Sequence, residues 1–173
     1  MFCRISYFSP QGHARELAYL FRRLFPSNTQ AVDIRNGFSG EETLHIIGFE
    51  FHESACEQIP DIVKKFVNEL TYKELLFFAT CPVCPDSKIR EQIERNLISI
   101  LPETCKYSGL YLCQGEVRCE VVDALAKNVS CRRGDAEAQM LLRQYRKGRG
   151  HSNREDIRNG YRYLSAALQL KSF

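Results

Sequence analysis

The fold class of this 173-residue chain is set by residues 2–14, FCRISYFSPQGHA. Residues 2–8 are an apolar, aromatic-rich run typical of a β-strand, and residues 9–12 have the composition of a turn. Apolar side chains then recur at helical spacing from Ala14 to about Phe25. A strand, a tight turn and an amphipathic helix in direct succession are typical of the opening unit of an α/β domain.

The rest of the chain continues this alternation. Apolar runs predict strands at 31–34, 44–49, 74–79 and 107–113, and helical stripes lie at about 59–70, 89–100, 117–125, 136–147 and 154–170. The pattern predicts an open parallel sheet with helices on both faces. Only residues 35–43 separate the second and third strands, so we expect an abbreviated crossover there. We interpret 1–173 as a single domain with a C-terminal helical segment at about 132–173.

Composition and charge exclude several classes of protein. The apolar runs are strand-sized, well short of the roughly 20 residues that span a bilayer, and residues 1–8 lack the apolar core of a signal peptide. We therefore expect a cytoplasmic protein with no membrane partner. The net charge is +3, and residues 132–173 hold ten Lys and Arg against four Asp and Glu. No nucleic-acid-binding motif accompanies this basic segment, so we expect no nucleic-acid partner.

The candidate chemistry lies in the loops that follow the first, third and fourth strands. In a doubly wound sheet such loops converge beyond the carboxyl ends of the strands. Residues 9–14 lead directly into a helix, whose unpaired N–H groups favour an anion. Gly12 permits close approach of the backbone, and Ser9 and His13 offer side-chain donors. An ordinary strand–helix turn, with Ser9 as a plain cap, is the alternative.

Five segments, in the same order along the chain, resemble flavodoxins. Residues 7–14 resemble their phosphate loop, and 44–48 resemble the third strand with the glycine of the next loop. Residues 76–80 resemble the fourth strand, and 109–115 resemble a Gly-x-x-x-Cys-Gln-Gly motif. Residues 150–156 resemble the loop before the last helix. The resemblance implies a three-layer, doubly wound α/β fold with five parallel strands in the order 2-1-3-4-5.

The resemblance also implies a site for flavin mononucleotide (FMN). Its phosphate would be held by Ser9, Pro10, Gln11, Gly12, His13 and Ala14. One side of the isoalloxazine ring would be lined by Phe49, Glu50, Phe51 and His52, and the other by Thr80, Cys81, Pro82, Val83 and Cys84. Aromatic side chains can stack on a flat ring, while the flavin itself carries the electrons.

The sequence departs from the flavodoxin pattern at this site. Gln11 and Ala14 stand where threonine is usual, and the chain contains no Trp. Stacking on the ring therefore falls to Phe49, Phe51 or His52; if these aromatics are core residues, the ring has no platform. Weaker FMN binding and a flavin-free interaction module are the alternatives that follow.

The Cys81-Pro82-Val83-Cys84 motif has the spacing of a dithiol redox site. If a helix starts here, its dipole would lower the pKa of the first thiol, and the second could resolve a mixed disulfide. Lining of the flavin pocket is the other interpretation. A zinc site lacks a second pair of ligands, and we predict no metal.

We therefore predict an FMN-binding electron-transfer protein or a flavin-dependent oxidoreductase component. A flavin-free interaction module, or a thiol–disulfide oxidoreductase using Cys81 and Cys84, is the alternative. The expected partner is a redox protein that docks on the basic C-terminal helices. That surface includes Arg143, Arg146, Lys147 and Arg149.

Overall fold

A computed structural model describes residues 3–25, 28–37, 42–52, 58–131 and 135–167. The five strands are β1 (Cys3–Phe8), β2 (Gln30–Asp33), β3 (Leu44–Glu50), β4 (Glu74–Cys81) and β5 (Lys106–Gln114). The helices are α1 (His13–Phe21), α2 (Asp61–Asn68), α3 (Ser87–Ser99), α4 (Cys119–Cys131), α5 (Ala136–Lys147) and α6 (Arg154–Ala167). Two short 3-10 helices lie at Arg22–Leu24 and Ile34–Asn36. The predicted alternation of strands and helices is confirmed.

All five strands are parallel and lie in the order β2-β1-β3-β4-β5, which confirms the predicted fold class. The register pairs Phe8 of β1 with Phe49 of β3, and Glu50 of β3 with Thr80 of β4. The carboxyl ends of these three strands therefore lie side by side. The short crossover between β2 and β3 contains the 3-10 helix, while residues 38–41 lie outside the described part of the chain.

Helices cover both faces of the sheet because successive strand residues point to opposite sides and both sets are apolar. On one face, Ile47 and Phe77 pack in a core with residues of α2 and α3. On the other face, Ile46 and Phe78 pack with residues of α1 and α6. Among the described helices, none is long and apolar enough to cross a membrane.

Candidate functional site

The loop between β1 and α1 lies beside the end of β3. Phe8, the last residue of β1, pairs with Phe49 of β3. The residues that follow them in the chain, Ser9 and Glu50, are therefore neighbours at the carboxyl edge of the sheet. Glu50 ends a buried strand whose other residues are apolar except His45, and its own side chain is only 5 % exposed. A buried carboxylate is costly unless hydrogen bonds compensate it, so its partners decide its role.

The Glu50 carboxylate is held by three donors of the β1–α1 loop. Ser9 Oγ donates to its Oε1 at 2.5 Å, and the backbone N–H of Ala14 donates to the same oxygen at 2.8 Å. The backbone N–H of Gln11 donates to Oε2 at 2.7 Å. We call the Ser9 hydroxyl and these two N–H groups the anion cradle. The loop thus binds an anion, and the anion is a side chain of the same protein.

Local backbone geometry sets up the anion cradle. Gly12 has φ of +104°, a left-handed conformation that favours glycine, and it directly precedes α1. Ser9 Oγ accepts a hydrogen bond from the N–H of Arg15 at 2.9 Å while donating to Glu50. Ser9 is therefore more than a plain cap, because its hydroxyl connects the first turn of α1 to the carboxylate.

His13 is not one of the donors of the anion cradle. Its Nε2 lies 3.0 Å from the carbonyl oxygen of Glu116, so this nitrogen donates to the loop that follows β5. Two backbone bonds draw the strand ends together: Phe51 N–H to Thr80 O at 3.0 Å and Gly115 N–H to Cys81 O at 2.7 Å.

Seven of the fifteen predicted site residues line one narrow crevice, which we call the closed crevice because so little space is left in it. It holds about 10 Å³, roughly the space for one water molecule, whereas small-molecule pockets hold about 300–1,000 Å³. Its lining comprises Gln11, His13, Glu50, Phe51, Thr80, Cys81, Pro82, Gly115, Glu116 and Val117.

The two candidate stacking phenylalanines are core residues. Phe49 is 0 % exposed and Phe51 is 3 % exposed, and their rings meet edge to face with centroids 5.0 Å apart. Phe49 belongs to the core beneath α2, so the expectation that its ring lines the flavin site is wrong for this conformation. His52 is exposed and leaves one aromatic ring at the surface of this loop.

The Cys81–Cys84 motif does not begin a helix, contrary to the basis of the dithiol hypothesis. Cys81 is the last residue of β4 and is buried, while Cys84 is exposed. Helix α3 begins only at Ser87, because Asp86 caps it by accepting the N–H of Ile89. The helix dipole therefore cannot activate Cys81, and the geometry gives no support to a dithiol redox centre here.

Two larger clefts flank the closed crevice. One, of about 320 Å³, lies between the β1–α1 loop and α2 and is bordered by Gln11, Glu50, Phe51, His52 and Lys64. The other, of about 550 Å³, is bordered by His13, His52, Glu116, Val117 and Arg118. Both clefts reach Pro10 and Gln11, so a ligand in either would touch the β1–α1 loop. Within the described ranges, no group of three His, Cys, Asp or Glu side chains is placed to hold a metal ion.

Two contacts close to the site were not predicted from the sequence. The side chain of Gln114 donates from Nε2 to Gln144 O at 2.9 Å and to Pro82 O at 3.3 Å, which fastens the loop after β4 to α5. Gly48 leaves room for Phe78, whose ring would lie 2.0 Å from an added Cβ. The sequence shows Gln114 at the end of β5 and Gly48 within β3, but their spacing does not indicate which residues they contact.

A family model for the flavodoxin domain matches residues 4–164. The chain belongs to the flavodoxin domain family. Similar solved structures include oxidised flavodoxin 2 from Bacillus cereus, which is 11 % identical with a TM-score of 0.50, the alignment covering 99 % of this chain and 100 % of that one. A flavodoxin from Streptococcus pneumoniae TIGR4 is 10 % identical with a TM-score of 0.47 (85 % and 99 % covered). Flavodoxin 1 from Bacillus cereus is 16 % identical with a TM-score of 0.44 (86 % and 98 % covered). No curated protein matches the sequence.

The donors of the anion cradle in this flavodoxin domain suit the phosphate of FMN. A carboxylate oxygen and a phosphate oxygen are both acceptors, and the cradle already binds two carboxylate oxygens through an O–H and two N–H groups. The donor set therefore fits a phosphate once Glu50 has left. At the ring end the closed crevice is too small for a flavin ring, whereas the two flanking clefts between described residues offer more space.

Proposed function

We propose that this flavodoxin domain binds FMN at the carboxyl edge of its sheet and transfers electrons to or from a partner protein. One observation carries the proposal: the β1–α1 loop holds an anion through Ser9 Oγ and the N–H groups of Gln11 and Ala14. The family membership and the shared fold support it.

The protein's own residues would bind and orient the cofactor. The anion cradle would hold the phosphate. His52 and the residues at the carboxyl ends of β3 and β4 would border the isoalloxazine ring. When bound, FMN supplies the redox chemistry. Gln114 would keep the loop after β4 in place through its bond to the Pro82 carbonyl, which limits the movement of that loop.

The proposed partner surface is the basic face, defined as Arg143, Arg146, Lys147 and Arg149. All four side chains are exposed. Arg146 and Arg149 border a cleft of about 410 Å³ together with Glu116 and Val117, which also line the closed crevice. The basic face therefore adjoins the carboxyl edge, where an acidic partner would come close to the proposed cofactor. The single-domain organisation and the cytoplasmic location stay predictions.

A second candidate function is a flavin-free interaction module built on the same fold. The occupied anion cradle and the 10 Å³ crevice favour it, because among the described residues the crevice shared by the three loops is too small for a flavin ring.

Titration of the purified protein with FMN decides between the two. Binding predicts quenching of flavin fluorescence that saturates at one FMN per chain, and a yellow protein after dialysis. Ser9→Ala should weaken that binding, whereas Ser99→Ala, in an exposed turn of α3, should leave it unchanged. A protein that causes no quenching at millimolar FMN and is colourless after dialysis would overturn the electron-transfer proposal and support the flavin-free module.

A further inference from the structure

Glu50 occupies the place that an incoming phosphate would need. Both of its oxygens are used, one by Ser9 and Ala14 and the other by Gln11. The carboxylate satisfies N–H groups that a helix start otherwise leaves without partners. Two anions cannot share these three donors.

We propose that Glu50 is a specificity-determining residue of the cofactor site: an internal carboxylate that a phosphomonoester must displace from the anion cradle. It follows that Glu50 reduces the advantage that the phosphate gives FMN over riboflavin, the same ring system without the phosphate. This inference rests on the proposed function for its flavin arm, but its phosphate arm is independent of flavin binding.

Charge reinforces the competition. A phosphomonoester carries between one and two negative charges near neutral pH, and a like charge held a few ångströms away repels it. Binding of the phosphate therefore requires the Glu50 side chain to leave, which breaks three hydrogen bonds to a charged acceptor. Riboflavin requires no such displacement.

The structure offers the displaced side chain a destination. Glu50 and Gln11 border the 320 Å³ cleft, and Lys64 lies on the rim of the same cleft, where it pairs with Asp61 at 2.9 Å. A Glu50 side chain that rotates out of the anion cradle would enter this cleft, which Lys64 also borders.

Removing the carboxylate should change two properties in opposite directions. Without ligand, the Glu50→Ala variant should be less stable than the wild type, because Ser9, Gln11 and Ala14 lose their acceptor. With inorganic phosphate or FMN, it should bind at least about tenfold more tightly, because no internal anion competes. A residue with only a structural role would lose stability without gaining phosphate affinity.

The test measures the dissociation constants of inorganic phosphate, FMN and riboflavin by calorimetry for the wild type and Glu50→Ala. Glu16→Ala is the matched control, since Glu16 is an exposed carboxylate in the first turn of the same helix. We expect the gain for phosphate and FMN in Glu50→Ala alone, so that the ratio of FMN affinity to riboflavin affinity rises in this variant. Glu50→Gln, which keeps the side-chain volume, should show the same gain to a smaller extent and carries the test if the alanine variant does not fold.

Equal phosphate affinity in the wild type and the Glu50 variants would overturn the proposal, and so would an equal gain in Glu16→Ala. If neither flavin binds any of the proteins, the proposed function fails, while the phosphate measurements still decide the role of Glu50. If both flavins bind and Glu50→Ala does not change their ratio, the proposed function stands and the role of Glu50 is refuted.

Discussion

The carboxylate of Glu50 and the backbone of Ala14 are joined by a 2.8 Å hydrogen bond that connects the end of β3 to the first turn of α1. Helix starts leave N–H groups without intrahelical partners, and an anion is the partner that the helix dipole favours. In this flavodoxin domain a strand residue supplies that anion. The same contact explains the order of the β1–α1 loop and predicts how it competes with a ligand.

Ser9 should contribute measurably to stability. Its hydroxyl donates to Glu50 and accepts from Arg15, so Ser9→Ala removes two hydrogen bonds at one site. We expect a loss of about 1–3 kcal/mol in the free energy of unfolding, measured by urea denaturation, since one of the bonds has a charged acceptor. Ser99→Ala, which removes one exposed bond to the Asn96 carbonyl, should stay within about 0.5 kcal/mol. Equal effects of the two substitutions would contradict a special role for Ser9.

Gly48 should be required for packing. An alanine Cβ at this position would lie 2.0 Å from the Phe78 ring, which is fully buried between the sheet and α1. Gly48→Ala should lower the free energy of unfolding by about 1–3 kcal/mol or more, as overpacking does. The smaller side chain of Phe78→Leu should relieve the clash, so the alanine should cost less in that background. A double-mutant cycle with purely additive effects would exclude this contact as the cause.

His45 should make the protein sensitive to acid. Its side chain is 0 % exposed and lies 2.7 Å from Ser6 Oγ. Burial, assisted by the charges of Arg4 and Lys73, lowers the pKa of His45 to about 3. The unfolded chain has an ordinary histidine pKa of about 6.5, so between these values it binds a proton that the folded protein does not.

Stability should therefore fall as the pH drops from about 6.5 towards 3, by up to about 1.4 kcal/mol per pH unit from this residue. His45→Gln, which keeps a hydrogen-bonding group near Ser6, should show a shallower slope of unfolding free energy against pH over that range. The measurement is urea denaturation at a series of pH values. Parallel slopes for the two proteins would show that His45 does not titrate as argued.

The basic face should accelerate reaction with anionic partners. Replacing Arg143, Arg146, Lys147 and Arg149 with glutamine should slow the oxidation of the reduced, FMN-loaded protein by ferricyanide, about tenfold or more at low ionic strength. The difference should shrink as salt is added, because salt screens exposed charges. A variant with glutamine at four exposed basic positions elsewhere has the same net charge and serves as the control: Arg22, Arg23, Lys88 and Arg95. If both variants slow the reaction equally, net charge rather than this surface controls the rate.

The strands and the loop that opens α1 were predictable from sequence because each rests on local patterns. Aromatic and β-branched runs gave β1, β3 and β4, and a glycine before an amphipathic stripe gave the start of α1. Strand order followed from the family resemblance. The strands and the start of α1, unlike the strand order, depend on residues that are close together in the sequence.

The occupant of the anion cradle was not predictable in the same way. Glu50 lies 41 residues from Ser9, and only the register that pairs Phe8 with Phe49 makes them neighbours. In the sequence, Glu50 was visible only as one acidic residue at the end of a mostly apolar run. The dithiol hypothesis failed for a different reason: it required a helix to begin at Cys81, whereas Asp86 caps α3 and the helix begins at Ser87.

Amide hydrogen exchange at Gln11 and Ala14, in phosphate-free buffer, tests the contact on which the site depends. In the wild type both N–H groups donate to Glu50, so their exchange should be slow. In Glu50→Ala these two amides should exchange at least about tenfold faster, while amides at 17–21 within α1 keep their rates. Unchanged exchange at Gln11 and Ala14 would show that the Glu50 carboxylate does not fill the loop.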